Sequence, residues 1–116
     1  VAESLSQKKS FAFALDIVKL YCKIRDQHEY VMSKQLLRSG TSIGANVEEA
    51  LAAQSRKDYL SKMSIASKEA RETKYWLRLL NESDIVDLDM KSELATIEEI
   101  IRILTAIVKT TGENRN

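Results

Sequence analysis

The chain has no proline and only three glycines in 116 residues. Sheets need many turns, and turns draw heavily on Gly and Pro, so a chain this poor in both is built from few, long elements. The reading that follows is all-α. A hydrophobic fraction of 44% beside 30% charged residues is that of an ordinary folded domain, and the length suits a single domain with one core. No run approaches the roughly 18 apolar residues of a membrane span. The opening "VAESLSQKKS" has too short an apolar part, and its lysines misplaced, for a signal peptide. No membrane partner is therefore expected. Cys22 is the sole cysteine, which rules out an intramolecular disulfide and fits a reducing cytoplasm. One histidine and one cysteine leave no zinc cluster within one chain.

Hydrophobic periodicity divides the chain into four helical segments, with no internal repeat. The first, about 7–27, has Phe11, Ala14, Val18 and Tyr21 at helical spacing, widened by Ile17 and Ile24. The second, 33–53, opens at Ser33 as N-cap, with Met32 placed to staple onto Leu37. Its stripe reads Leu36, Gly40, Ile43, Val47 and Ala50. The third, 56–81, follows a loose capping box of Ser55 and Asp58 and aligns Tyr59, Met63, Ala66, Ala70, Thr73, Leu77 and Leu80. The fourth, 89–111, is capped by Asp87 or Asp89. Its heptad is Met90, Leu94, Ile97, Ile101, Leu104 and Val108, broadened by Ile100, Ile103 and Ile107, and Gly112 reads as its stop. Helices of this length with short connectors predict one antiparallel up-down-up-down four-helix bundle over 1–116.

Two of the three glycines, Gly40 and Gly44, stand four apart within the second segment, where each costs about 0.5–1 kcal/mol against alanine. Either they relieve crowding against Trp76 or Tyr75 and let helices approach closely, or their amides hold a phosphate. The second reading is weak without a preceding strand or a following Walker lysine. Behind them, Glu48 and Glu49 point about 100° apart on a helix, which argues against a catalytic dyad. Glu49 reads instead as a polar contact between helices or subunits.

Charge is segregated along the chain. Residues 55–80 hold seven Lys/Arg against three Asp/Glu, and residues 81–100 hold seven Asp/Glu against one Lys. Lys57, Ser61, Ser64, Lys68, Arg71, Tyr75 and Arg78 form one stripe of the third helix. Cations interleaved with hydroxyls and an aromatic suit a phosphate backbone and a stacked base, although a solvated face has the same look. Lys74 adds to the excess, and Arg38 is a weaker addition. Quenching by the acidic segment is the competing outcome. A second face of that helix, with Ile65, Glu69, Glu72, Trp76 and Leu79, suits an oligomer interface or an amphipathic core edge. His28 in the first connector reads as polar surface and Cys22 as a small apolar residue. With no Ser-His-Asp, Cys-His or metal spacing, no enzymatic chemistry, cofactor or small-molecule substrate is implied.

The string "QLLRSGTSIGANVEEA", then "SRKDY", then "EARETKYWL", resembles the 23S rRNA intervening-sequence proteins. Their pattern Q-L-x-R-[SA]-x-x-S-I-x-x-N-[IV]-x-E-[AG] is met by Gln35, Leu36, Arg38, Ser39, Ser42, Ile43, Asn46, Val47, Glu49 and Ala50. Ser55, Lys57, Asp58 and Tyr59, then Glu69, Glu72, Thr73, Tyr75, Trp76 and Leu77, meet the later motifs. Glu48 departs from the alanine many members carry. The resemblance covers nearly the whole chain and implies a left-handed up-down bundle similar to ring-forming relatives, typically homopentamers. It also implies an RNA or ribonucleoprotein partner, inferred in the family from genes lodged within ribosomal RNA insertions. A related branch works beside a reverse transcriptase in diversity-generating retroelements. The family brings no catalytic residues.

The resulting expectation is a non-enzymatic, cytoplasmic homo-oligomer that binds structured RNA through Arg38, Lys57, Lys68, Arg71, Lys74 and Arg78. The rival is a protein-interaction scaffold with no nucleic-acid contact. Gly40 and Gly44 would seat the second helix against Tyr75 or Trp76, with Asn46 and Glu49 as polar fixings beside that contact.

Overall fold

The computed structural model describes residues 2–113. It contains four helices: α1, Ala2–Asp26; α2, Met32–Leu51; α3, Arg56–Glu82; and α4, Lys91–Glu113. Each helix packs on two neighbours in the cyclic order α1–α2–α3–α4, and among the described residues no contacts cross the diagonal. The α2–α3 seam is the most extensive and the α1–α4 seam the least. Cross-helix pairs give the directions. Gln7 meets Glu48, Ser39 meets Thr73 while Glu49 meets Lys62, and Arg71 meets Thr105 while Lys74 meets Glu98. In α2–α3 and α3–α4, rising numbers on one helix meet falling numbers on the next, so these neighbours are antiparallel. The particle measures 50 × 21 × 20 Å, the shape of helices of this length laid side by side.

The core faces of α2 and α3 are those predicted from periodicity: Leu36, Ile43, Val47 and Ala50 are buried against Met63, Ala66, Ala70, Leu77 and Leu80. Helix α4 contributes Ile97, Ile100, Leu104 and Ile107, with Met90 buried just before it. At the centre of the α2–α3 seam the buried hydroxyls of Ser39 and Thr73 lie 3.0 Å apart. Thr73 Oγ1 is also 2.8 Å from the Glu69 carbonyl, so neither hydroxyl is stranded in an apolar layer.

Helix α1 turns a different face inward from the predicted one. Phe13, Ile17, Leu20 and Ile24 are buried together with Ser6 and Ser10, whereas Phe11 and Val18 of the expected stripe are 62% and 44% exposed. The helix is apolar on more than one side, so its own period does not choose; the partner helix does. A Cβ built on Gly40 would lie 2.9 Å from Ile17 Cγ2, and one on Gly44 would lie 3.4 Å from the Ser10 carbonyl oxygen. Both glycines face α1, and at Gly40 the absent side chain lets α2 close on Ile17. The atoms nearest to both glycines belong to Ile17 and Ser10 of α1 rather than to the expected Tyr75 or Trp76.

The helix ends also differ from the simple capping rules. Ser33 does not cap α2. The helix starts one residue earlier, and Glu29 closes it by accepting from the amides of Val31, Met32 and Ser33 at 3.1, 3.0 and 2.7 Å. The Ser33 hydroxyl turns back to donate to the Glu29 carbonyl. Burial by itself would raise the Glu29 pKa, but the three amide bonds outweigh it and hold the carboxyl below its ordinary 4.5. Ser55 caps α3 as predicted, accepting from Asp58 N at 3.0 Å. Asp89 accepts from Lys91 N at 3.0 Å at the start of α4. Asp87 instead uses its backbone, bonded through both N and O to the Gln27 amide, which ties the first connector to the third. Gly112 does not stop α4, which runs through it to Glu113. Among the described residues, the two left-handed backbone positions belong to His28 and Asp84, both just past a helix end where glycine is usual. Gly40 and Gly44 lie inside a helix facing α1 rather than in turns.

Candidate nucleic-acid interface

Six cations were candidates for nucleic-acid contact, and the bundle sorts them by their partners. Arg38 projects from α2 across the seam to α3. Its guanidinium donates to Glu69 at 3.1 Å and also to Glu72, while Trp76 Nε1 donates to the same Glu72 at 3.0 Å. A candidate phosphate ligand and three candidate interface residues thus form one intramolecular network. Two carboxylates match Arg38, which removes it from the uncompensated charge.

Lys74 and Arg78 are also paired. Lys74 reaches Glu98 of α4 at 2.6 Å, and Arg78 Nε reaches Glu82 at 3.1 Å one turn along. The hydrogen bond from Lys74, assisted by its charge and that of Arg102, holds the Glu98 carboxyl below its ordinary range. Quenching of the basic helix by the acidic segment is therefore real at these two positions. Sequence reading missed the α4 participants, although Arg102 four residues after Glu98 was a helical-spacing signal for them. Across the bundle Lys9 pairs with Glu99 at 3.1 Å.

Lys57, Lys68 and Arg71 have no carboxylate partner among the described residues. Arg71 is oriented by a neutral group, donating to Thr105 Oγ1 at 3.0 Å, and so keeps its full charge in a fixed direction. Both lysines are exposed. Tyr75 stands on the same stripe one turn after Arg71, with Arg78 three residues beyond. Its ring meets the Trp76 indole edge-on, centroids 5.2 Å apart.

The second candidate face is mixed. Ile65 is 40% exposed, but Trp76 packs partly buried against the core, and Leu79 lines a surface cleft with Tyr75 and Arg78. Much of it is the amphipathic edge of the α2–α3 seam. Of the proposed fixings, Glu49 binds Lys62 of α3 at 2.8 Å, raising the lysine's pKa. Asn46 bonds within α2 to the Ser42 carbonyl and hydroxyl at 2.9 and 3.1 Å. The Glu48 carboxylate accepts from Gln7 of α1, giving that residue an inter-helix role. His28 bonds Tyr30 at 2.9 Å in the first connector.

A different apolar surface does lie open. Phe11, Leu15 and Val18 follow one another at helical spacing along the outside of α1, 62%, 49% and 44% exposed. Phe11 and Val18 belong to the core stripe predicted from the sequence, and Leu15 is not singled out there. No group of three or more His, Cys, Asp or Glu residues is placed to hold a metal among the described residues. No described helix is long and apolar enough to cross a membrane.

Four packed helices with a polar, partly charged outer face on α3 define an all-α bundle protein. The family model of the 23S rRNA-intervening sequence protein matches residues 3–106, and the chain belongs to that family. Among solved structures it is similar to a protein of unknown function from the S23 ribosomal protein family of Bacteroides thetaiotaomicron. The two share 46% identity and a TM-score of 0.88, covering 94% of this chain and 99% of the other. No curated protein matches.

Proposed function

We propose that this protein is a non-enzymatic, cytoplasmic helical bundle that assembles with copies of itself and binds structured RNA, alone or within a ribonucleoprotein, through phosphate contacts from α3. The observation that carries the reading is the set of cations left without carboxylates on one outer stripe, Lys57, Lys68 and Arg71. A free charge at a fixed position releases counterions on meeting a phosphate, whereas a paired one must first break its pair. Lys74 and Arg78 are secondary contacts on this account, and Arg38 supports α3 from behind.

Self-association is supported by the open stripe of Phe11, Leu15 and Val18, since contiguous exposed apolar surface marks interaction sites. A second copy of this chain is its proposed occupant. A closed ring would repeat the α3 stripe once per subunit and so multiply a modest charge into a continuous basic surface. The unpaired, half-buried thiol of Cys22 suits a reducing compartment.

The test is fluorescence anisotropy with a labelled RNA hairpin across a salt series. Affinity should fall steeply as salt rises, and Lys68→Ala with Arg71→Ala should flatten the log–log slope by about 1.5, since each lost phosphate contact is worth roughly 0.7–0.9. No binding at low salt, or an unchanged slope, overturns the proposal. Recovery of a defined protein partner after nuclease treatment, in the absence of RNA binding, would establish the scaffold reading instead.

A further inference from the structure

An aromatic ring left more than half open on a charged helix needs an explanation. Tyr75 is 56% exposed, although tyrosine has a large apolar body that folding normally covers. It is not loose. The edge-on contact with Trp76, at 5.2 Å and 73°, fixes one side, and Trp76 is itself held by its bond to Glu72. The ring therefore stands as a fixed wall between two shallow clefts. One, of about 420 Å³, is lined by Arg71, Lys74, Tyr75, Arg78, Glu98 and Ile101. The other, of about 340 Å³, is lined by Tyr75, Arg78, Leu79, Glu82 and Ser83.

The polar groups around this wall differ in kind. Arg71 and Arg78, one turn to either side, are cations at the spacing of near neighbours on a helix face. Thr105 orients Arg71, and Glu82 engages the Nε edge of Arg78. Glu98 lines the larger cleft and carries a carboxylate there, kept ionised by Lys74. A site for phosphate alone would have no use for a carboxylate or for an open aromatic face. A nucleotide uses all three: a flat base to stack, N–H groups at its edge for a carboxylate to accept from, and flanking phosphates for the arginines.

We propose that the Tyr75 wall receives an unpaired base of a single-stranded nucleic-acid segment, such as a loop or bulge. Arg71 and Arg78 then hold the phosphates on either side, and Glu98 accepts from the base edge. The inference rests on the reading of α3 as a nucleic-acid surface and adds that the surface distinguishes unpaired from paired strands. A duplex keeps its bases stacked inward, so it can use the lysines and arginines but not the ring.

The experiment uses the full chain and fluorescein-labelled oligonucleotides of about 12 nucleotides: single-stranded RNA, the same sequence as DNA, and the RNA duplex. Anisotropy gives affinity, and quenching of Trp76, the only tryptophan, reports arrival of a base beside its ring partner. Tyr75→Ala should weaken single-strand binding by about tenfold or more, leave duplex binding and the salt slope unchanged, and abolish the quenching. Tyr75→Phe should restore both readouts. Comparable binding of RNA and DNA single strands supports stacking on the base, and a preference for RNA adds recognition of the ribose to it. Equal effects of Tyr75→Ala on single strand and duplex, or no effect on either, overturn this inference while leaving the phosphate surface standing. Absence of binding to every oligonucleotide at low salt removes both.

Discussion

Replacing Gly40 by alanine tests the packing logic at the position where two magnitudes oppose each other. In a helix interior the added methyl stabilises by about 0.5–1 kcal/mol, by reducing the freedom lost on folding. Here the new Cβ would fall 2.9 Å from Ile17 Cγ2 and 3.1 Å from Cγ1. Those atoms branch directly from a fully buried Cβ, so they cannot swing aside as the tip of a long side chain would. Overpacking of this kind costs about 1–3 kcal/mol. The expected net effect is a loss of about 0.5–2 kcal/mol. Gly44→Ala differs only in geometry, because its nearest atom is at 3.4 Å, an ordinary contact. There the propensity term wins, and stability should rise by up to about 1 kcal/mol. Gly112→Ala meets nothing within 4 Å and calibrates propensity alone, reduced by its place in the last turn. Urea unfolding followed by circular dichroism at one protein concentration gives all three values. A double-mutant cycle with Ile17→Ala isolates the clash. With the isoleucine branches gone, Gly40→Ala should become neutral or stabilising, a coupling of at least about 1 kcal/mol. Equal effects of Gly40→Ala and Gly44→Ala, or a coupling near zero, would refute the close approach of Ile17 on α1 as the reason for Gly40.

Glu29→Gln should cost about 1–2 kcal/mol at neutral pH through loss of a charged cap. Because the folded-state pKa of Glu29 is depressed below 4.5, its stabilisation is present above that value and lost as pH falls through the folded pKa. Acid titration of unfolding free energy should therefore show the wild type losing its advantage over the variant only below about pH 4.5. Thr73→Val leaves the buried Ser39 hydroxyl with only its 3.4 Å bond to the Leu36 carbonyl and should cost about 1–2 kcal/mol, with Ser39→Ala adding less than its separate value. Leu15→Glu on the open face of α1 should leave protomer helicity unchanged while shifting sedimentation towards the monomer. Unaltered assembly would exclude that face.

How far the fold was legible depended on how one-sided each helix is. On α2 and α3 a single apolar stripe is flanked by charge, so the period alone named Ile43, Val47, Met63 and Leu77 as core. On α1, Phe11, Leu15 and Val18 form as regular a series as Phe13, Ile17, Leu20 and Ile24. The choice between them was made by shape, Ile17 fitting over Gly40, and shape between helices is not a local property. The Glu29 cap escaped for a related reason. Capping rules look for a short side chain directly at the helix start, and here a longer one reaches up from the connector to three amides. The candidate surface was half legible. Residue types on the α3 stripe were readable, but which of them stay charged to solvent was decided by carboxylates from α4 and from the next turn of α3.

That last sorting narrows where a strand would run. The acidic segment neutralises Lys74 and Arg78 at the C-terminal end of the α3 stripe, through Glu98 and Glu82, and leaves Lys57, Lys68 and Arg71 without carboxylates among the described residues. On the proposed reading, attraction over a distance would come from the unpaired cations, because paired charges are largely cancelled beyond a Debye length. On the same reading, discrimination at contact would come from the stretch around Tyr75, whose ring and flanking arginines have fixed geometry. A strand would be captured near Lys57 and Lys68 and read near Tyr75. Lys68→Ala should therefore slow association and flatten the salt slope, while Tyr75→Ala should speed dissociation of single strands at unchanged slope. Stopped-flow kinetics separate the two. If both substitutions act on the same rate constant, the stripe is one undivided electrostatic surface and the division by pairing has no functional meaning.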